Sequence, residues 1–259
     1  MGLIKRLGIL LLIVILLALL SIYWPSLTGK VSQLSNNNEN SNFVKETVFV
    51  TRVVDGDTIH ARVNGADETI RLLGINTPEK NKPYYNEAKN FLIHEIENKS
   101  VEILKDKEDV DKYGRKLRYI FYGDRMINVE IVENGFATTF MLDDLDYKDK
   151  FETAEKFARQ NGIGLWMKSS DKCAFCISLV KLEFNAPEYF IIKNNCDFEC
   201  NLDGWLVKDD ANHFFNLDNL LAGEIKEYKT KTGTEVWNDL GDRFFMRDNY
   251  GRLVVFYQY

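Results

Sequence analysis

Three stretches of this chain concentrate side chains that could do chemistry together. Val54-Asp55-Gly56-Asp57-Thr58 sets two carboxylates about a glycine. Such a turn presents oxygens to a hard cation, though Asp-Gly pairs also serve as plain polar turns. In Ile70-Arg71-Leu72-Leu73-Gly74-Ile75-Asn76-Thr77-Pro78-Glu79, Arg71 lies in an apolar run, and three polar residues follow the glycine. An arginine so placed either meets an anion or faces outward on an alternating strand. Asp111-Lys112-Tyr113-Gly114-Arg115 puts cations beside a phenol and a glycine, which suits phosphate contact or a solvated charged loop. Taken together, the residue types match the needs of phosphodiester hydrolysis. A divalent cation and two arginines would offset charge on the phosphate, and a carboxylate would orient or deprotonate water. His60, His94 and His213 do not cluster in sequence with the acidic loops, so each reads as structural or exposed.

The elements that must position these groups are short strands. Thr47 to Val54 is β-branched and aromatic, Thr58 to Val63 alternates, and Glu68 to Leu73 follows an Asn64-Gly65 turn, which predicts a three-stranded meander. Apolar residues at helical spacing predict a helix over Tyr85 to Ile96. Val101 to Leu104 and Leu117 to Tyr122 read as two further strands, and Asn128 as the cap of a helix that Gly135 stops. Lys148 to Gln160 reads as a last helix, ended at Asn161-Gly162. Five strands with one inserted helix and trailing helices suggest a small OB-type barrel.

The ordered motifs Val-Asp-Gly-Asp-Thr, Ile-Arg-Leu-Leu-Gly-Ile-Asn-Thr-Pro-Glu and Asp-Lys-Tyr-Gly-Arg-Lys-Leu resemble those of the thermonuclease, or staphylococcal nuclease, family from about Phe43 to Met167. The resemblance implies an α+β OB-fold, with a five-stranded barrel and helices. It also implies a Ca²⁺-dependent endonuclease that hydrolyses DNA and RNA with little sequence preference and leaves 3′-phosphate ends. Asp57 would be a metal ligand and Thr77 would supply its main-chain carbonyl. Arg71 and Arg115 would hold the scissile phosphate, Glu79 would act on the attacking water, and Lys112 and Tyr113 would contact the nucleotide. Asn76 stands where the family usually has an aspartate ligand. An amide in that place gives a more weakly held cation, because the site loses a negative charge.

Beyond Trp166, Ser169 and Ser170 suggest a boundary. Short strands at Ile177 to Phe184, Tyr189 to Lys193, Gly204 to Lys208, His213 to Phe215, Arg243 to Arg247 and Leu253 to Tyr257 then predict an all-β sandwich. Phe190, Trp205, Phe215, Trp237 and Phe256 would fill its core. Glu188-Tyr189-Phe190-Ile191-Ile192-Lys193-Asn194-Asn195, Leu202-Asp203-Gly204-Trp205 and Arg247-Asp248-Asn249-Tyr250-Gly251 are similar to the lamin-tail domain. That resemblance implies an immunoglobulin-like sandwich without enzymatic activity, serving attachment to an unknown ligand. Cys173, Cys176, Cys196 and Cys200 are spaced for a Zn²⁺ site of four thiolates or for two disulfides. An exported chain favours disulfides. An antiparallel approach of the two segments would nest Cys176 with Cys196 and Cys173 with Cys200.

Export is expected from the N-terminus. Lys5 and Arg6 precede an apolar run from Leu7 to Leu20, continued by Ile22, Tyr23 and Trp24. This is long enough for a transmembrane helix ending in interfacial aromatics, or for a signal peptide that is removed. The expected organisation is a membrane anchor over residues 1–25, a flexible linker over 26–42, a nuclease-like barrel over 43–168 and a lamin-tail-like domain over 177–259. The barrel and sandwich would lie outside the cell, tethered or secreted, and a monomer is expected. Lys and Arg number 33 against 39 Asp and Glu, a formal charge of -6. This excludes a global basic field for capturing nucleic acid. The acidic balance and Asn76 leave two alternatives open: a nucleic-acid-binding surface protein with little or no turnover, or a structural surface protein.

Overall fold

In the computed structural model, residues 45–140, 144–231 and 234–259 are described, and they fall within one compact unit, 43–259. The expected anchor and linker lie outside the described residues. Among the described residues no helix is long and apolar enough to cross a membrane.

The first part of the unit runs β1 Glu46–Val53, β2 Thr58–Val63, β3 Ala66–Leu72, β4 Ile75–Asn76, α1 Tyr85–Ile96, β5 Ser100–Leu104, β6 Lys116–Tyr122, β7 Arg125–Met126, α2 Ile127–Glu133, β8 Thr138–Thr139 and α3 Lys148–Asn161. Strand order β3-β2-β1-β5-β6 is closed by a parallel pairing of β3 with β6, in which Arg71 lies opposite Leu117. A five-stranded OB-like barrel results, and closure leaves those strands without an open edge between β3 and β6. Period-two alternation directs Val48, Val50, Ile59, Ala61, Ile70 and Leu72 into the core. The same alternation turns Arg71 out of it. The β2–β3 hairpin uses Asn64 at φ 51° and Gly65 at φ 84°, the left-handed pair that a two-residue turn requires.

Helix α1 covers the predicted span and buries Ala88, Leu92 and Ile96. Helix α2 differs from expectation at its start. Its N-cap is Met126, with no side-chain cap, because the Asn128 side chain is used elsewhere. Its oxygen accepts from Ile120 N at 2.7 Å, and its nitrogen donates to the carbonyls of Leu73 and Arg118. Asn128 is a buried fastener between helix and barrel rather than a cap. Gly135 at φ 68° ends α2 and abuts Gly164; a Cβ there would stand 2.2 Å from the Ile163 carbonyl oxygen.

The second part adds β9 Ile177–Glu183, β10 Tyr189–Asn194, β11 Leu206–Lys208, β12 Phe214–Asn216, β13 Ile225–Lys229, β14 Arg243–Arg247 and β15 Leu253–Gln258. These form a three-stranded sheet, β13-β10-β9, and a four-stranded sheet, β12-β11-β14-β15, all antiparallel. Phe190, Trp205, Phe244 and Trp237 fill the core, with Phe215 stacked on Trp237 at 5.4 Å. Disulfides join Cys173 to Cys200 and Cys176 to Cys196, with Cα–Cα separations of 5.7 and 5.4 Å, the nested pairing expected from the sequence. Strand β13 was not expected. Its Ile225, Glu227 and Lys229 are exposed, as suits an outer strand guarded by charge.

Phe256, expected in the sandwich core, instead packs on Trp166 at 5.2 Å. These rings join Ala158, Phe245 and Leu253 in a third apolar cluster that welds barrel to sheets. Ser169 and Ser170, expected to mark a boundary, follow directly on Met167 and Lys168 in a segment that runs beside β15. Leu253 N donates to Met167 O at 2.7 Å and Ser169 N to Leu253 O at 2.9 Å. The weld predicts that Trp166→Ala lowers the stability of the whole unit by about 3–5 kcal/mol in denaturant unfolding. A loss under about 1 kcal/mol would show that the two cores stand independently.

Candidate active site

The β1–β2 turn, the end of β3, β4 with the loop after it, and the 106–115 loop surround a cleft of about 1160 Å³. Asp57, Arg71, Asn76, Thr77, Glu79, Lys112, Tyr113 and Arg115, the residues singled out for site roles, all line it. The four cysteines lie apart, in the sandwich core region.

Asp57 is the knot. One carboxylate oxygen accepts from Thr77 N at 3.1 Å and Thr77 Oγ1 at 2.8 Å, and the other accepts from Thr58 Oγ1 at 3.0 Å. Arg71 Nη1 lies 3.2 Å from that second oxygen. The guanidinium is also fixed by donation to Leu72 O at 3.1 Å and Ile75 O at 2.9 Å. Gly56 permits this closeness, because a Cβ there would stand 2.6 Å from Ala88 Cβ and 2.9 Å from the Thr77 side chain.

Asp55 gains importance beyond its sequence context. It accepts from Asp57 N at 3.1 Å. Burial, together with the negative charge of Asp57, pushes its carboxyl up to about 6. Two neighbouring carboxyls that resist sharing negative charge, with the Thr77 carbonyl on the same wall of the cleft, are the oxygen donors a hard divalent cation takes. The residues therefore fit such an ion.

Across the cleft, Asp111 organises the cationic loop. Its oxygens accept from Tyr113 N and Arg115 N, each at 2.9 Å, and from Arg115 Nε at 2.7 Å. Burial alone would raise this carboxyl, yet the hydrogen bonds from Arg115 and Tyr113 hold it below the usual range. Gly114 at φ 79° makes the bend. The Arg115 guanidinium lies 5.5 Å and Lys112 Nζ 5.2 Å from the ring centroid of Tyr113, which is 73% exposed. An exposed phenol between two cations is free to stack on a base.

Part of the wall comes from the sandwich, which the sequence motifs did not reveal. Asn76 Nδ2 donates to Asp210 O at 2.8 Å. The Asn212 amide nitrogen lies 3.3 Å from Glu79 Oε1 and 3.4 Å from Thr77 O. Its orientation is set by Lys208, whose ammonium can only donate and reaches Asn212 Oδ1 at 2.8 Å. The loop carrying these groups is braced throughout. Asp209 accepts from His213 N and meets the His213 ring at 2.6 Å, while Arg243 Nε donates to Asp210 at 2.6 Å. Arg243 also reaches the barrel, pairing with Glu155 at 2.7 Å and donating to the Thr139 carbonyl. No local signal in the sequence could have joined residues 133 to 135 positions apart.

A family model described as Staphylococcal nuclease homologue matches residues 69–168. Thermonuclease of Staphylococcus intermedius is 38% identical over 128 residues, covering 47% of this chain and 76% of that protein. Thermonuclease of Staphylococcus hyicus is 33% identical over 166 residues, 61% of this chain and 95% of that protein. Endonuclease YncB of Bacillus subtilis is 30% identical over 164 residues, 55% of this chain and 78% of that protein. With a closed OB-like barrel, the expected site residues gathered on one cleft and this degree of identity, the chain belongs to the staphylococcal nuclease family.

Proposed function

We propose that this nuclease is an exported, membrane-tethered, Ca²⁺-dependent phosphodiesterase that cuts DNA and RNA with little sequence preference, leaving 3′-phosphate and 5′-hydroxyl ends. The observation that carries this reading is the cleft itself, which Arg71, Arg115, Glu79, Asp55, Asp57 and Thr77 line together.

Asp55, Asp57 and Thr77 O would hold the cation, and a bound cation would supply charge neutralisation at a non-bridging phosphate oxygen. Arg71, its guanidinium anchored by two carbonyls and Asp57, presents N–H groups to the phosphate. Arg115, aimed by Asp111, does the same from the opposite side. Both stabilise the added negative charge of the five-coordinate state in a site organised before substrate arrives. Glu79 orients water and accepts its proton as the water oxygen bonds to phosphorus. The bond from phosphorus to the 5′ oxygen breaks, and that oxygen leaves as a hydroxyl, taking its proton from solvent water while Glu79 returns its own to solvent. Tyr113 and Lys112 would hold the flanking nucleotide. The acidic balance keeps binding weak and only moderately salt-dependent.

Export is supported by the apolar run 7–24 and by two disulfides, which persist in oxidising surroundings. The two C-terminal sheets would serve as a lamin-tail-like attachment module. A second reading, a binder with little turnover, is favoured by one contact. Asn76 commits its amide nitrogen to Asp210 O instead of offering a carboxylate to the ion.

Replacing Arg71 by Met, Glu79 by Gln or Arg115 by Met should each lower the rate on single-stranded DNA by roughly 100-fold or more with binding retained. Unchanged rates in all three would remove this mechanism. Asn76→Asp should lower the Ca²⁺ concentration for half-maximal activity while losing the donor to Asp210 O, which costs about 1–3 kcal/mol of stability in denaturant unfolding. An unchanged Ca²⁺ requirement would mean that position 76 does not face the ion.

A further inference from the structure

Glu79, which the proposed mechanism sets on the attacking water, is exposed on the loop between β4 and α1. Its backbone is pinned, since Lys82 N donates to Glu79 O at 2.9 Å. The side chain is held from elsewhere. Among the described residues the one hydrogen-bond donor to its carboxylate is Asn212, whose amide nitrogen lies 3.3 Å from Oε1. An exposed glutamate left to itself samples many rotamers, and a group that must meet water at phosphorus loses rate when it wanders.

Asn212 belongs to the sheets, in the 209–213 loop that joins β11 to β12, and it is built to hold still. Its backbone is left-handed at φ 66°, a conformation asparagine tolerates better than most residues. Buried Asp209 accepts from His213 N at 2.7 Å, and Arg243 Nε donates to Asp210 at 2.6 Å, so the loop is fixed on both sides of Asn212. Lys208, the last residue of β11, donates to Asn212 Oδ1 at 2.8 Å, which leaves the amide hydrogens for Glu79 and Thr77. Phe214, opposite Lys208 on β12, brings its ring 4.5 Å from Lys82 Nζ. Gly251 lies so near Pro83 that a Cβ on it would stand 2.5 Å from the Pro83 Cβ. The loop carrying Glu79 is therefore clamped against the strands that carry Asn212.

We propose that Asn212 is the positioning residue of Glu79: it donates to Oε1 and leaves Oε2 for the attacking water. The inference rests on the catalytic role proposed for Glu79. An amide nitrogen carries two hydrogens, one for Oε1 and one for the Thr77 carbonyl at 3.4 Å, and that carbonyl keeps a second lone pair for a cation. At 3.3 Å the contact with Glu79 is long for a charged acceptor, as catalytic hydrogen bonds often are before substrate arrives. The sheets thereby supply a working part of the cleft, besides any attachment they serve.

The test is a double-substitution cycle in the full chain, read as the saturating single-turnover rate on single-stranded DNA with enzyme in excess. Asn212→Gly, which suits the left-handed backbone and removes the donor, should lower that rate roughly tenfold and leave the half-saturating enzyme concentration unchanged. In a Glu79→Ala background the same substitution should change the rate by less than about twofold, because no carboxylate remains to be placed. Equal losses in both backgrounds would show a purely structural role and overturn the proposal, as would a wild-type rate in Asn212→Gly. The two readings fail separately. Glu79→Ala as fast as wild type removes the catalytic role of Glu79 and this inference with it, whereas a slow Glu79→Ala beside an unimpaired Asn212→Gly removes this inference alone. Should Asn212→Gly not fold, Lys208→Met, which frees the amide to turn, runs through the same cycle and the same outcomes decide. Metal-free crystals read the placement without turnover. The Glu79 carboxylate should lie against Asn212 in the wild type and lose that position in the variant; an unmoved carboxylate overturns the proposal.

Discussion

The Asp57 carboxylate is the constraint on which the cleft depends. It lies at the end of a turn whose glycine permits no Cβ, and it collects Thr58, Thr77 and Arg71. Thr58 and Arg71 face each other on the paired strands β2 and β3, and Thr77 comes from the loop after β4, so Asp57 ties that loop to the barrel wall. A carboxylate accepting several hydrogen bonds beside a guanidinium is charge-assisted and geometrically exacting, so the arginine is aimed before any phosphate arrives. Asp55 pulls the other way. Its carboxyl is raised by burial and by Asp57, and this electrostatic tension is what an incoming cation would relieve.

A second knot explains why the two C-terminal sheets belong to the cleft. Arg243 bonds Asp210 on its own side and Glu155 and Thr139 on the barrel side. Removing one partner of such a buried set leaves an uncompensated charge, which keeps the 209–213 loop pressed against Asn76, Thr77 and Glu79. The amide at position 76 acquires a structural reason, since an Asp side chain there would have no hydrogen to give the Asp210 carbonyl. Lys208 donates to Asn212 Oδ1 and the Asn212 amide nitrogen reaches Glu79, so the loop from the sheets is tied to the cleft through Asn212.

Much of the barrel was legible from local rules. Alternation of β-branched residues located β1 to β3, the Asn64-Gly65 turn fixed the hairpin, and helical spacing located α1 with its bounds. Both readings of Arg71 proved compatible, because the strand that turns it away from the core turns it toward Asp57. What failed were groups whose partners lie far off in sequence. Asn128 looked like a cap because its type suits one, yet barrel carbonyls and an amide claim its side chain. Strand β13 was hidden because Lys226 stands on its half-buried face and Ile225 on its exposed one, which breaks the apolar alternation that marks a half-buried strand. Asn212, Asp210 and Arg243 carry no motif, and only packing of the sheets against the barrel gives them a place beside the cleft.

The central claim, metal-dependent hydrolysis in this cleft, is tested most directly by cleavage of single-stranded DNA by the full chain, with Ca²⁺ varied against a chelator and product ends identified. The account predicts no cleavage in the chelator, recovery on adding Ca²⁺ at concentrations raised by the amide at position 76, and 3′-phosphate ends. DNA left intact across a wide range of Ca²⁺, or cleavage indifferent to the chelator, would contradict it.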